Sequence, residues 1–476
     1  MKKQLVVLGA AAMVAAAAVP ALAFENEFHG MYRLRANVTN FQAAGLSGIQ
    51  NTSGVGTAVP KSSALLAEDN RTFTIFEQRA RIQYIGKASD DLKLVTHFEI
   101  DSSWGDAGYN SNNGRGQGAG LAGDSINLET KNVYLDFNLP STPVNMKVGL
   151  QGWMDAYKGI FLYDDVAGAV AGAKSGALTG TAAFFRTYDA NTTGTAAIGN
   201  PLGKKNVDVY VLDGKFALNK DVSLGASYYL AYNDSKESGT GDNATTHTFG
   251  LNGAAKLGIV DLDAFVLYQT GDALYDFQTT TNRSKDLSAW AAQIAAKANL
   301  GMATVRANFL YASGDDGEDN TESNAFQNLA ASGAAGNPAG SSVSSGTYYP
   351  AQMNLLLRNI YNMDSDNALV ASINNANHGL MLGVLGADFK VNDKFSATVN
   401  LGSAFNAEKR GTEEEDYIGT EVNLQLNYKL YPTLTATLQG AYCMLGDYYD
   451  NTVKTKSGTK DPEDPYLTGL MLNYTF

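Results

Sequence analysis

The sequence predicts an all-β protein, a single large antiparallel up-and-down β-barrel that closes on itself and crosses a membrane with its strands. Three observations carry this reading. The chain ends inside a strand, where Tyr466, Thr468, Leu470, Leu472, Tyr474 and Phe476 share one face and Leu467, Gly469, Met471, Asn473 and Thr475 share the other. Hairpins of alternating apolar and polar residues recur along the chain, with short turns and long polar loops in strict alternation. After residue 23 no apolar run reaches about 18 residues, so any spanning structure has to be a closed barrel.

The amino terminus comes first. Lys2 and Lys3 precede an apolar run from Leu5 to Val19, and Ala21-Leu22-Ala23 forms a small-x-small cleavage site. This is the pattern of a secretory signal peptide over residues 1–23, leaving residues 24–476 as the barrel. The first strand sets Phe28, Gly30, Tyr32, Leu34, Ala36 and Val38 against His29, Arg33, Arg35 and Asn37. The second, from Arg71 to Lys87, sets Ala80, Ile82 and Tyr84 against Arg79, Arg81 and Gln83. The third sets Leu92, Leu94, Thr96, Phe98 and Ile100 against Lys93, His97, Glu99 and Asp101. Val133–Phe137 and Val144–Leu150 repeat the unit around Pro140 and Pro143.

Later hairpins turn at Leu218–Asp221, near Gly258 and Gly301, at Asn392-Asp393 and at Tyr431-Pro432. Outside residues 152–203 the count is sixteen strands. Within that region Val166–Lys174 and Thr179–Asp189 flank Ser175-Gly176-Ala177-Leu178 and form a further hairpin, because a structureless loop of about 50 residues is uncommon. Eighteen strands is the number adopted, with sixteen as the alternative. Both are even and both enclose an aqueous lumen.

Composition bounds the function. There are 35 basic residues against 48 acidic ones, a net charge of −13, and losing Lys2 and Lys3 makes the balance more acidic. That excess disfavours nucleic acid as a partner and brings a weak expectation of cation preference. Cys443 is the single cysteine, so no disulfide framework exists. Tyr (25) and Gly (49) are plentiful and Pro (10) is scarce, which suits aromatic girdles and repeated strands.

The closing strand YLTGLMLNYTF resembles that of Gram-negative outer-membrane β-barrels. The resemblance implies that Tyr474 and Phe476 serve as the signal read by the barrel assembly machinery, and that outer-membrane lipid and lipopolysaccharide surround the wall. Short turns then face the periplasm and long loops face outside. With that register Arg33, Arg35, Arg79 and Arg81 form a basic patch facing the lumen, and His97, Glu99 and Asp101 an acidic one. Opposed basic and acidic walls resemble the constriction zone of general porins. The segment from Trp153 through Tyr157, Lys158, Asp164 and Asp165 resembles the porin loop that folds inward, so 152–180 is the expected constriction segment. Residues 314–376 form the longest extracellular loop, whose Tyr348-Tyr349-Pro350 and Leu355-Leu356-Leu357 indicate an ordered part at the mouth. Its opening Gly314–Asn320 is rich in oxygen donors but lacks an ordered metal-ligand pattern.

These residues point to a porin passing small hydrophilic solutes by diffusion, with no cofactor, no metal and no catalytic residue. None of the nucleophile, zinc or phosphate-loop motifs occurs. The porin resemblance brings a homotrimer as an expectation. The opening FHGMYRLRANV and the chain size are similar to porins of metal-reducing delta-proteobacteria. From that resemblance comes an alternative, a sheath for multihaem cytochromes that carries no CxxCH haem motif of its own. A further alternative is a substrate-specific channel for an anionic oligosaccharide.

Overall fold

A computed structural model describes residues 25–41, 72–105, 116–119, 128–189, 206–234, 243–277, 283–329, 348–357, 368–370, 372–410, 415–450, 453–455 and 458–476. The expected signal peptide lies outside the described residues. The barrel opens with β1 (Glu25–Thr39), β2 (Phe73–Ser89) and β3 (Leu92–Trp104). It continues through β4 (Glu129–Asn138), β5 (Val144–Met154), β6 (Tyr163–Ser175) and β7 (Leu178–Asp189). Next come β8 (Asn206–Ala217), β9 (Val222–Asn233), β10 (Ala244–Leu257), β11 (Val260–Phe277), β12 (Ser284–Asn299) and β13 (Ala303–Ala312). The last are β14 (Leu380–Lys390), β15 (Phe395–Phe405), β16 (Tyr417–Tyr431), β17 (Leu434–Leu445) and β18 (Tyr466–Thr475).

The barrel therefore has eighteen strands, and the hairpin inside 152–203 supplies two of them. Each strand pairs antiparallel with its neighbour in the chain, and β1 closes on β18 from Met31↔Thr475 to Thr39↔Leu467. Gly258 (φ +65°) and Gly301 (φ +84°) sit in short turns that demand left-handed backbone. Short segments at Gly116–Ala119 and Glu322–Ser323 pair alongside barrel strands, and Val453–Thr455 pairs with Gly458–Lys460.

One parity of every strand faces outward and is apolar. Leu212, Leu251, Ile294 and Leu385 are 59–60% exposed, which only a hydrocarbon surrounding makes favourable in such number. The closing seam is built at Phe476. Its N–H donates to the Gly30 carbonyl at 3.1 Å and the Gly30 N–H donates to its carbonyl at 2.9 Å. Its ring stacks on Tyr474 with centroids 5.6 Å apart and covers Gly30, where a side chain would collide with it. Deleting Phe476 removes both bonds and this cover. The expected result is a several-fold drop in folded barrel, measured as the heat-modifiable band from isolated outer membranes; an undiminished band contradicts the role assigned to the seam.

The inward parity departs from the expected polar lining. On β8 to β14 the extracellular half is apolar inside as well: Val209, Leu267, Leu310 and Leu382 are at most 1% exposed. Strands that are apolar on both faces are covered on both. Lipid covers one face; two infolded segments of the chain cover the other.

Candidate functional site

The first infolded segment runs from Asp155 to Leu162, between β5 and β6. Asp155 turns it back on itself. One carboxylate oxygen accepts the N–H groups of Tyr157 (2.7 Å) and Gly159 (2.8 Å), and the other accepts those of Phe161 (2.8 Å) and Leu162 (2.7 Å). Four donors that would otherwise be orphaned are satisfied by one side chain. The turn lets Tyr157 and Phe161 pack on the inner wall. Tyr157 meets Phe265 edge-on at 5.5 Å and Phe161 meets Tyr229 at 5.0 Å. Gly250 is the socket: a Cβ there would overlap the Tyr157 ring. Lys158, at φ +65°, reaches Asp263 on β11 at 2.8 Å.

The second segment belongs to the long region between β13 and β14. Asn354, Leu355 and Leu356 donate their N–H groups to Glu421 of β16 at 2.8, 2.9 and 2.7 Å, and Asn423 donates its amide to the same carboxylate at 2.7 Å. The Asn423 amide also donates to the Gln352 carbonyl at 2.9 Å. Arg306 clamps the Gln352 side chain at 3.0 Å while holding Asp388 at 2.7 Å. Met353 enters the gap above Gly402. Leu355 and Leu356 accept backbone bonds from Leu369 and Val370 at 2.8 and 3.0 Å. Tyr349–Ala351 is a single 3₁₀ turn.

Another stretch of the long region, ending at Leu329, meets the first segment. Gln269 on β11 holds the backbone of Gln327 by two bonds of 2.8 Å, and the neighbouring Leu329 N–H donates to the Phe161 carbonyl at 2.8 Å. Tyr348 is buried in the same apolar cluster as Tyr157, Phe161 and Leu329. Burial pushes the Tyr157 phenol up to about 12 and raises that of Tyr348, so both remain neutral. The side of the lumen along β8 to β14 is thus filled by the chain itself, which leaves the wall of β1 to β5.

The predicted basic and acidic residues lie on that remaining wall, but as one patch. Register places Arg79 opposite Asp101 and Arg81 opposite Glu99 on adjacent strands. Arg79 grips Asp101 with two bonds of 2.6 and 2.5 Å and lies 3.4 Å from Glu99, which Arg81 also binds. Arg33 is the cross-strand partner of Arg79, and Arg35 lies 3.9 Å from Glu77. The expected opposed walls are therefore not formed; β2 and β3 neutralise one another locally because antiparallel neighbours put these rows side by side. His97 contacts Asn132 at 3.4 Å. Asp165 joins the edge of the patch through Asn132 (2.9 Å) and Lys131 (2.7 Å).

The other expected lining residues stand apart. Tyr157 is fully buried against the opposite wall, so it supports the constriction and presents no face to the passage. Asp164 accepts the N–H of Asp165 at 2.8 Å. The inward segment is shorter than 152–180: residues 163–175 are barrel strand, paired residue by residue with β5 and β7. The sequence reading missed Asp155, Glu421, Gly250 and Gly402. Of the oxygen-rich loop, Asp315 binds Gly317, Asn324 and Arg410, and among the described residues no cluster of three or more His, Cys, Asp or Glu side chains is placed to hold a metal ion.

Comparisons with known proteins agree with this architecture. Over 95% of its length the chain is similar in fold to OccAB1 of Acinetobacter baumannii, at TM-score 0.55, 12% identity and 96% coverage of that chain. It is similar over 94% to OpdK of Pseudomonas aeruginosa, solved with vanillate, at TM-score 0.53, 10% identity and 98% coverage. OccK2 (OpdF) of Pseudomonas aeruginosa, solved with glucuronate, matches at TM-score 0.50 and 13% identity, over 95% of this chain and 96% of that one. Among curated proteins, none matches the sequence. The sequence model of the alginate export family matches residues 218–460, just over half of the chain, and the protein belongs to that family of outer-membrane channels.

Proposed function

We propose that this outer-membrane channel is a constricted, solute-selective pore for small hydrophilic acids, acidic sugars above all, and not a wide general pore. The observation that carries the reading is the 2.8 Å contact between Leu329 and Phe161, where the segment turned by Asp155 meets the stretch of the long region that Gln269 holds inside the barrel. An eighteen-stranded wall left open would enclose a broad aqueous channel. Filling one side with packed chain leaves a narrower, polar passage whose width discriminates by size and whose wall discriminates by charge. The acidic class is supported by the family's named export of alginate, a polyuronate, and by the vanillate and glucuronate of two structural neighbours. A cytochrome sheath would need the same lumen space for a haem protein.

Liposome swelling with purified protein tests this. Glucuronate should enter faster than glucose, and a neutral oligosaccharide of seven sugars should be excluded. Equal swelling with all three solutes contradicts the proposal.

A further inference from the structure

Strand parity assembles a second charged feature, far from the arginine patch. Six inward rows end on a lysine within four residues of a periplasmic turn: Lys147 on β5, Lys174 on β6, Lys215 on β8, Lys256 on β10, Lys297 on β12 and Lys429 on β16. Alternation fixes their direction. Lys297 shares its row with Gln293, which is 4% exposed, whereas Ile294 in the other row is 59% exposed to lipid. Lys429 likewise follows Asn423, and Lys256 follows Gly250.

Three more rows end the same way but are compensated. Lys87 binds Glu27, Lys93 lies 3.3 Å from Asp136, and Lys390 lies 3.0 Å from Asp393. The six make no ion pair with a described residue. Lys147 has the Tyr134 ring at 5.9 Å. In the periplasmic half of the same arc the inward strand carboxylates are Asp213, Asp261, Asp263 and Asp388, the last two engaged by Lys158 and Arg306, and Asp136 of β4 stands opposite Lys147. Asp261 stands opposite both Lys256 and Lys297 in the register. The arc therefore carries a surplus of positive charge although the whole chain is acidic.

We propose that these six lysines form a cationic collar at the periplasmic mouth, which sets the anion preference of the channel and binds acidic oligosaccharides there. The reasoning rests on the reading of the protein as a channel for acids, and adds the group that supplies the preference. Strands stand about 4.8 Å apart, so Lys174, Lys215, Lys256 and Lys297 line the rim at about 10 Å intervals before tilt, with Lys147 one strand to one side and Lys429 four strands to the other. That interval matches the screening length of about 10 Å in 0.1 M salt, which lets their fields merge across the arc. The arginine patch has a smaller surplus, because Glu77, Glu99 and Asp101 stand against its four guanidinium groups.

The test compares the wild-type barrel with a variant carrying all six lysines as Gln and another carrying all six as Arg. These residues sit at the rim, and the heat-modifiable band checks that each variant folds. In a salt gradient near 0.1 M the reversal potential should show several-fold anion preference in the wild type and the Arg variant and none in the Gln variant. In 1 M salt, where screening falls to about 3 Å, the wild type should lose its preference. Binding of fluorescent tetragalacturonate, measured by anisotropy on the full chain in micelles, should weaken at least tenfold in the Gln variant and persist in the Arg variant. A wild-type reversal potential or affinity retained by the Gln variant overturns the collar. A barrel that conducts nothing counts against the channel reading, and the binding titration then decides the collar alone.

Discussion

Glu421→Ala should widen the channel. The substitution strips the acceptor from three backbone N–H groups and from the Asn423 amide in a site with no exposure to solvent. Each orphaned buried donor costs roughly 1–3 kcal/mol, which over four donors offsets the burial of Met353, Leu355 and Leu356 that otherwise keeps the segment on the wall. The segment around Asn354 then leaves the wall, Met353 leaves the gap at Gly402, and the lumen gains the space they filled. Single-channel conductance should rise several-fold, with larger sugars admitted to liposomes. Glu421→Gln keeps the shape and one acceptor oxygen, so it should fall between wild type and Ala. Unchanged conductance in a folded Glu421→Ala barrel would show that the segment is held by other means.

The second large effect is expected at Asp155. Asp155→Ala leaves the N–H groups of Tyr157, Gly159, Phe161 and Leu162 without their acceptor, again at roughly 1–3 kcal/mol for each one that stays buried. Asn offers one carbonyl oxygen and an amide that cannot accept, so Asp155→Asn should recover only part. Here the segment is short and tied at both ends, through Met154↔Tyr163. It should loosen in place and not swing clear, giving noisy, fluctuating current instead of a clean increase, and a lower thermal midpoint. Limited proteolysis between residues 155 and 162 reports the same loosening. Wild-type noise, midpoint and protease resistance together would refute the role of this carboxylate.

The barrel itself was legible because its strands alternate. The hairpin at 166–174 and 179–189 could be found inside an otherwise ambiguous stretch, and the structure pairs it from Ala167↔Arg186 to Ser175↔Leu178. The constriction was harder to read. Alternation identifies two faces but not what covers the inner one, and Asp155 and Glu421 look like ordinary wall or loop carboxylates until their backbone partners are known. A signal was present in composition. Val209 to Leu212 and Leu380 to Leu385 are apolar in both parities, which a water-filled lumen does not ask for. Gly250 and Gly402 interrupt inward rows where a side chain would serve a lining, and both mark places where a buried residue closes in. The arginines and their carboxylate partners were placed on the correct strands, yet the charge pattern was likened to opposed walls when the register makes the two rows neighbours.

The most direct test of the constriction is single-channel conductance of the refolded protein in a planar bilayer, beside the Glu421→Ala/Asp155→Ala double variant. Wild-type steps well below the nanosiemens scale, rising several-fold in the double variant, are the predicted result. Wild-type steps already on the nanosiemens scale and unchanged in a folded double variant would contradict it, since the two segments would then not narrow the path.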